Sequence, residues 1–239
     1  VPGPVAVEVA VADLDGVRVA RDAGASRVEL SAGLDLGGLT PSLALVEAAV
    51  EASGPVGVHV LLRPRPGDFV HSADELALVL RDAELVLGAG ADGVVVGPVR
   101  PDGTVDVPAL QRIRALVGER DLTFHRAVDV ADDVERAVAD LLRCGVTRVL
   151  TSGAERSAHD GAARIRRTVE AAAGRLAVMA GGGVRAPALP ALLAATGVHD
   201  VHLSARTPVA PDEGFGARSR TDPALVAAAV AAVRPRPPS

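Results

Sequence analysis

The sequence predicts one domain of the α/β class, a (β/α)8 TIM barrel spanning residues 1–239. Three observations carry that reading. Seven glycines that close helical stretches, Gly24, Gly54, Gly90, Gly118, Gly145, Gly174 and Gly197, recur at intervals of 23 to 36 residues, about the length of one βα unit. Several of them open the same phrase, a helix-ending glycine followed by a strand entry: Gly24-Ala25-Ser26-Arg27-Val28-Glu29-Leu30, Gly90-Ala91-Asp92-Gly93-Val94-Val95-Val96 and Gly145-Val146-Thr147-Arg148-Val149-Leu150-Thr151. One strand before the first glycine and one after each of the seven makes eight, and eight such units typically take about 250 residues. A doubly wound sheet would want its glycine-rich turn after the first strand, whereas here the glycine cluster follows the seventh.

The elements follow in order. Residues 5–10 are a β-type run, and Asp13 caps the helix that Gly24 ends. Residues 26–31 form the second strand. A glycine-rich loop then leads to Thr40-Pro41, an N-cap with proline at the first helical position. Residues 56–62 are the third strand, closing in Arg63-Pro64-Arg65. Ser72 with Glu75 has the capping-box pattern, and Leu76, Val79, Leu80, Ala83 and Leu87 keep helical spacing behind it. Residues 92–97 are the fourth strand and 106–117 a shorter helix. The fifth strand, from Leu122, passes directly into His125, Arg126 and Asp129, and a helix over about 132–143 follows. Residues 147–152 are the sixth strand and 160–173 the next helix. Residues 175–180 are the seventh strand, which runs into Gly181-Gly182-Gly183 and a short helix. Residues 199–204 complete the barrel, whose units end near Arg206. Residues 207–221, with Phe215 inside, read as a long polar loop, suited to a lid or a subunit contact. Residues 223–233 read as a last helix and 234–239 as an extended tail.

Composition narrows the function classes. The formal net charge of −5 supplies no basic stripe for nucleic acid. No apolar run reaches membrane-spanning length and no signal-like segment opens the chain, so no membrane partner and a cytoplasmic location are expected. All 25 basic residues are arginine, which excludes a Schiff base on lysine. Tyrosine and tryptophan are absent, and the one cysteine, Cys144, permits neither a disulfide framework nor a thiolate cluster.

In a barrel of this kind the site forms at the C-terminal strand ends, and the polar residues of the sequence fall there. Glu8 and Glu29 close the first two strands, and suit either an ion network with Arg126 or Arg63 or an acid/base role. His125, with Arg126 and Asp129 beside it, is the candidate general acid or base. His59 reads as a core histidine, while the fourth strand ends in Gly97 and contributes little. The glycines 181–183, before a short helix, suit a phosphate cradle, because peptide N–H groups approach an anion closely where no Cβ intervenes. Ser152, Ser204 and Arg206 add hydroxyls and a guanidinium, and Arg63 and Arg65 make a second anion-friendly pair. A small anionic ligand, phosphorylated or carboxylated, is the expectation. No local metal motif is present, so the metal ligands are unknown from sequence; a site assembled from separate strands, such as Glu8, Glu29 and His125, stays open. The opposite rim carries helix caps and Cys144.

The phrases Glu8-Val9-Ala10, Val28-Glu29-Leu30-Ser31, Gly37-Gly38-Leu39-Thr40-Pro41-Ser42, Arg63-Pro64-Arg65-Pro66-Gly67-Asp68-Phe69, Thr123-Phe124-His125-Arg126-Ala127, Arg148-Val149-Leu150-Thr151-Ser152-Gly153 and Val201-His202-Leu203-Ser204-Ala205-Arg206 occur in this order. Together they resemble the copper homeostasis protein CutC family over nearly the whole chain. The resemblance implies a cytoplasmic TIM barrel, a homodimer or higher homo-oligomer, and a role in copper homeostasis, with Cu(I) bound by cysteines. The positions at which that family carries those cysteines are Ala10 and Ser31 here, so the soft thiolates that Cu(I) prefers are missing. The alternative is a TIM-barrel enzyme acting on a small anionic substrate.

Overall fold

The computed structural model describes residues 5–209 and 218–234. Eight parallel strands close into a barrel in sequence order: β1 (Ala6–Val11), β2 (Arg27–Leu30), β3 (Gly57–Leu61), β4 (Gly93–Val96), β5 (Asp121–Phe124), β6 (Arg148–Thr151), β7 (Ala177–Gly181) and β8 (Asp200–Leu203). The register of β8 against β1, with His202 opposite Glu8, seals the ring. Helices α1 (Leu14–Asp22), α2 (Leu43–Ser53), α3 (Ala73–Gly88), α4 (Val107–Val117), α5 (Val134–Arg143), α6 (Ala162–Ala172), α7 (Leu189–Thr196) and α8 (Pro223–Val233) follow the strands. This is the TIM-barrel fold that the glycine spacing predicts. All seven helix-ending glycines have positive φ, between 59° and 99°, which is why the spacing is written in glycine rather than in another residue.

The strand faces divide the chemistry. Side chains alternate across a strand, and Val9, Val28, Leu30, Val58, Val60, Val94, Val96, Phe124, Val149 and Val201 point outward into one apolar cluster with the helices. The inward set is polar to an unusual degree for a fold whose interior is normally filled by branched apolar residues. It includes Glu8, Arg27, Glu29, His59, Asp121, Arg148, Asp200 and His202, joined across the lumen.

Two local readings change. The α2 cap is Ser42, whose hydroxyl accepts from Leu45 N–H, rather than Thr40. The Thr40 hydroxyl instead accepts from the Arg63 N–H at 2.9 Å, tying the β2–α2 loop to the end of β3. Residues 207–221 do not form a purely irregular loop: Arg206–Val209 (β9) pairs antiparallel with Arg218–Thr221 (β10). The middle of that segment, with Phe215, lies outside the described residues, as does the tail from 235.

Candidate functional site

The barrel interior begins with Glu8. It stands in the middle of β1, fully buried, rather than at the strand's end. One carboxylate oxygen accepts from Arg27 Nε at 3.0 Å, and the other lies 2.8 Å from His202 Nδ1. Burial alone would push this carboxyl up. The hydrogen bond from His202 and the charges of His202, Arg27 and His59 outweigh it, and Glu8 is held well below the usual carboxylate range. Glu29, on the neighbouring strand, lacks such partners. Burial pushes it up to about 7, with His202 opposing and the Glu8 charge reinforcing the shift. Burial disfavours a charged His202, but Glu29 and Glu8 more than compensate and raise it above its ordinary value. The two carboxylates of the sequence reading therefore do meet, but the imidazole that joins them is His202 and not His125. Glu8, Glu29 and His202 bring one donor atom each within 4.8 Å of one another.

Beneath this trio lies a layer that the sequence reading placed no function in. Arg148 bridges Asp200 (2.7 Å) and Asp121 (3.3 Å), and Arg27 reaches Asp200 at 3.4 Å. These four residues sit at strand beginnings, so the N-terminal end of the lumen carries an ion network as well as helix caps. His59 joins both layers, with Nε2 3.4 Å from Asp121 and Nδ1 3.9 Å from Glu8. Alternation could have found them, since Arg27 and Glu29, or Asp200 and His202, are two residues apart on one face. A charged residue at a strand start reads more readily as a surface cap.

His125 follows β5 and is buried under Phe69, with ring centroids 4.8 Å apart. Its Nδ1 accepts from Ala127 N–H at 3.1 Å, so the neutral ring carries its proton on Nε2 and presents a donor. Burial, then the charges of Arg63 and His71, push its pKa down to about 3. Gly97 gives this ring its place: a Cβ on Gly97 would overlap the His125 ring. The fourth strand's contribution is an absence of side chain.

Asp129 is a clamp. It accepts from Thr151 Oγ1 (2.5 Å), Ser152 N (3.0 Å), Ser152 Oγ (3.0 Å), Ala154 N (3.1 Å) and Arg126 Nε (3.1 Å). Arg126 also donates through Nη2 to Ser152 Oγ at 2.7 Å. Its remaining edge faces Gly182, where a Cβ would stand 3.6 Å from Nη1 and 3.1 Å from Ser152 Cβ. Gly182 and Gly183 both have positive φ (102° and 65°). Neither donates its N–H to a backbone carbonyl among the described residues. Gly181 packs on His202, where a Cβ would lie 3.2 Å from the His202 Cβ. Arg126, Ser152 and the glycines thus stand together, next to the His202 trio.

The other arginines turn elsewhere. Arg63 donates to the carbonyls of Leu36, Gly38 and Gly67 and lies over Phe69 at 5.0 Å. Arg65 is taken up by Glu75 (2.5 Å) and Asp68 (2.9 Å), beside the Ser72–Glu75 capping box of α3. Arg206 holds Asp35 (3.1 Å), Ser219 (3.0 Å) and Ser204 (2.8 Å), linking the β9–β10 hairpin to the β2–α2 loop. Cys144 caps α5 at the N-terminal end of the barrel, buried, its thiol pushed up by burial.

The CutC family model matches residues 5–207. The chain belongs to the CutC family. The family protein CutC of Xanthomonas campestris pv. campestris (strain 8004) is 45% identical over 204 residues, 85% of each chain. That of Agrobacterium fabrum is 40% identical over 201 residues, 84% of this chain and 79% of its own. The crystal structure of a CutC from Streptococcus agalactiae, described as a candidate copper homeostasis protein, superimposes with a TM-score of 0.78 at 29% identity, covering 83% of this chain and 97% of that one. Among the described residues no helix is long and apolar enough to cross a membrane.

The donors at the mouth do not fit the copper chemistry that the family resemblance implies. Ala10 offers none, Ser31 offers a hydroxyl, and the single thiol is at the far end of the barrel. The buried trio is carboxylate and imidazole, a set for harder ions than Cu(I).

Proposed function

We propose that this CutC-family barrel binds a small phosphorylated or carboxylated molecule at its C-terminal mouth and acts on it as an enzyme, without a thiolate route to copper. One observation carries the reading: Arg126, fixed by Asp129, Ser152 and the Glu155 carbonyl, keeps Nη1 without a hydrogen-bond partner against Gly182, beside glycine N–H groups with no backbone partner, among the described residues. A guanidinium and unpaired peptide N–H groups on neighbouring loops are the groups that recognise an oxyanion by charge-assisted hydrogen bonds. The Nε2–H of His125 is a further donor for a substrate carbonyl or phosphoryl oxygen, from a ring too deeply buried to ionise at neutral pH. The Glu8–Glu29–His202 trio lies next to the cradle, through Gly181, where a bound molecule's reacting end would meet it. The cytoplasmic setting and homo-oligomer implied by the resemblance belong to the same proposal.

The test is titration with inorganic phosphate and with a small organic phosphate, followed by calorimetry. Arg126→Met and Gly182→Ala should each weaken binding about tenfold or more, the loss of one charge-assisted hydrogen bond or of its space. Binding that is unchanged in both variants would remove the cradle. Cu(I) competition against the Cys144→Ser variant settles the copper alternative. A tight site that survives the loss of the only thiol would revive it.

A further inference from the structure

We propose that Glu8, Glu29 and His202, with His59 as a fourth donor, form a binding site for a divalent first-row metal ion such as Mn²⁺, Fe²⁺ or Zn²⁺. Each comes from a different strand of one arc of the barrel, β8, β1, β2 and β3, and the register sets them side by side. His202 stands opposite Glu8, and Glu29 opposite His59. Donor atoms of the first three lie within 4.8 Å of one another. One ion about 2.0–2.2 Å from each would close that span with small rotamer changes.

Independent of that spacing, the local hydrogen bonding is incomplete in a way that calls for a cation. His59 is 1% exposed, and its Nε2 lies 3.4 Å from the Asp121 carboxylate. Its Nδ1 is buried without a hydrogen-bond partner among the described residues, and 3.9 Å away is Glu8 Oε2. A metal ion between them would give the imidazole nitrogen and the carboxylate oxygen a common partner. Ser31 Oγ, two residues beyond Glu29 and just past the end of β2, is a second buried polar atom without a hydrogen-bond partner among the described residues. Buried polar atoms in native interiors nearly always have one.

The charges agree. The lumen holds four carboxylates, Glu8, Glu29, Asp121 and Asp200, against two guanidiniums, Arg27 and Arg148. Four minus two leaves a formal excess of two negative charges, which a protonated His202 and a protonated Glu29 offset without metal and a divalent ion would offset in their place. Arg27 is the competing cation, but it binds Glu8 from below and is shared with Asp200. Oxygen and imidazole donors without sulfur select Mn²⁺, Fe²⁺ or Zn²⁺ over Cu(I). The mostly covered His202, with 13% of its side chain exposed against none of Glu8, offers the way in from the mouth.

The experiment uses the full chain carrying Cys144→Ser, stripped of metal and kept free of phosphate so that the anion cradle plays no part. Mn²⁺ is titrated by electron paramagnetic resonance and Zn²⁺ by competition with a chromophoric chelator. The expected result is one ion per chain, with affinity reduced about tenfold or more by Glu29→Gln and by His202→Gln, and unaltered when the exposed His159 and His199 are replaced. Anomalous diffraction from Mn²⁺-soaked crystals should place a peak between the Glu8, Glu29 and His202 side chains, which tests the site even where a variant folds poorly. No saturable binding at one equivalent, binding that outlasts both substitutions, or a peak elsewhere would overturn the proposal.

Discussion

At the scale of single residues, His125 and Gly97 are one feature. The ring occupies the volume that glycine leaves, so Gly97→Ala should cost about 1–3 kcal/mol, the usual range for overpacking. Urea denaturation would measure it, with His125→Ala/Gly97→Ala recovering part of the loss. The same burial makes His125 a source of pH dependence. Its folded pKa, about 3, lies below its unfolded value of 6.5. The unfolded chain therefore takes up the proton first as pH falls, and this contribution to stability, complete above 6.5, is lost progressively toward 3. Between pH 7 and pH 5 it should amount to roughly 2 kcal/mol. Denaturation curves at both values should show that wild type loses more than His125→Asn by about this amount. Glu29 titrates in the opposite sense, and the difference between the two proteins removes it. Legibility was uneven at this scale. His125 stood out because three ionisable groups closed one strand, but its tautomer depends on the Ala127 N–H, which no spacing reveals.

At the scale of elements, the β5 and β6 ends are held by Asp129. Its five donors belong to the turn after β5, the last residue of β6 and the loop that follows, so Asp129→Ala strands several buried donors at once. A loss of about 2–4 kcal/mol is expected, together with weaker phosphate binding as Arg126 loses its hold. Thermal melts and calorimetry on one preparation would show whether both fall together. The Arg206–Asp35 link is the contrast. It joins the β9–β10 hairpin to the β2–α2 loop, but Asp35 is largely exposed. Asp35→Ala should change stability by no more than about 0.5 kcal/mol, and a larger change in urea midpoint would contradict that. The strands and the first seven helices were readable because each of those helices stops at a glycine with positive φ, whereas α8 ends at Arg234. The hairpin was not readable, since Arg206–Val209 and Arg218–Thr221 pair across an intervening segment and carry no apolar alternation. Arg63 and Arg65 looked free for the same reason: carbonyls of Leu36, Gly38 and Gly67, and the carboxylate of Glu75, come to them only through the fold.

For the whole molecule, the apolar core lies between strands and helices, and the lumen is ionic. Removing one member should cost far more than an exposed pair. Arg148→Met leaves Asp200 without its shortest ion pair and Asp121 with His59 alone, and should lose about 3–5 kcal/mol. The double replacement Arg148→Met/Asp200→Leu should regain a good part of it, as read from urea midpoints. The ionic lumen also bears on how the ring finds its closure. Outward valines and leucines are nearly interchangeable along a strand, so they would accept β8 beside β1 in more than one offset. The inward residues are not interchangeable. Sliding β8 by two positions would carry Asp200 to where His202 meets Glu8 and set carboxylate against carboxylate. The lumen therefore works as a combination lock on the barrel's stagger, since a mispaired closure sets like charges against each other where the native one pairs them.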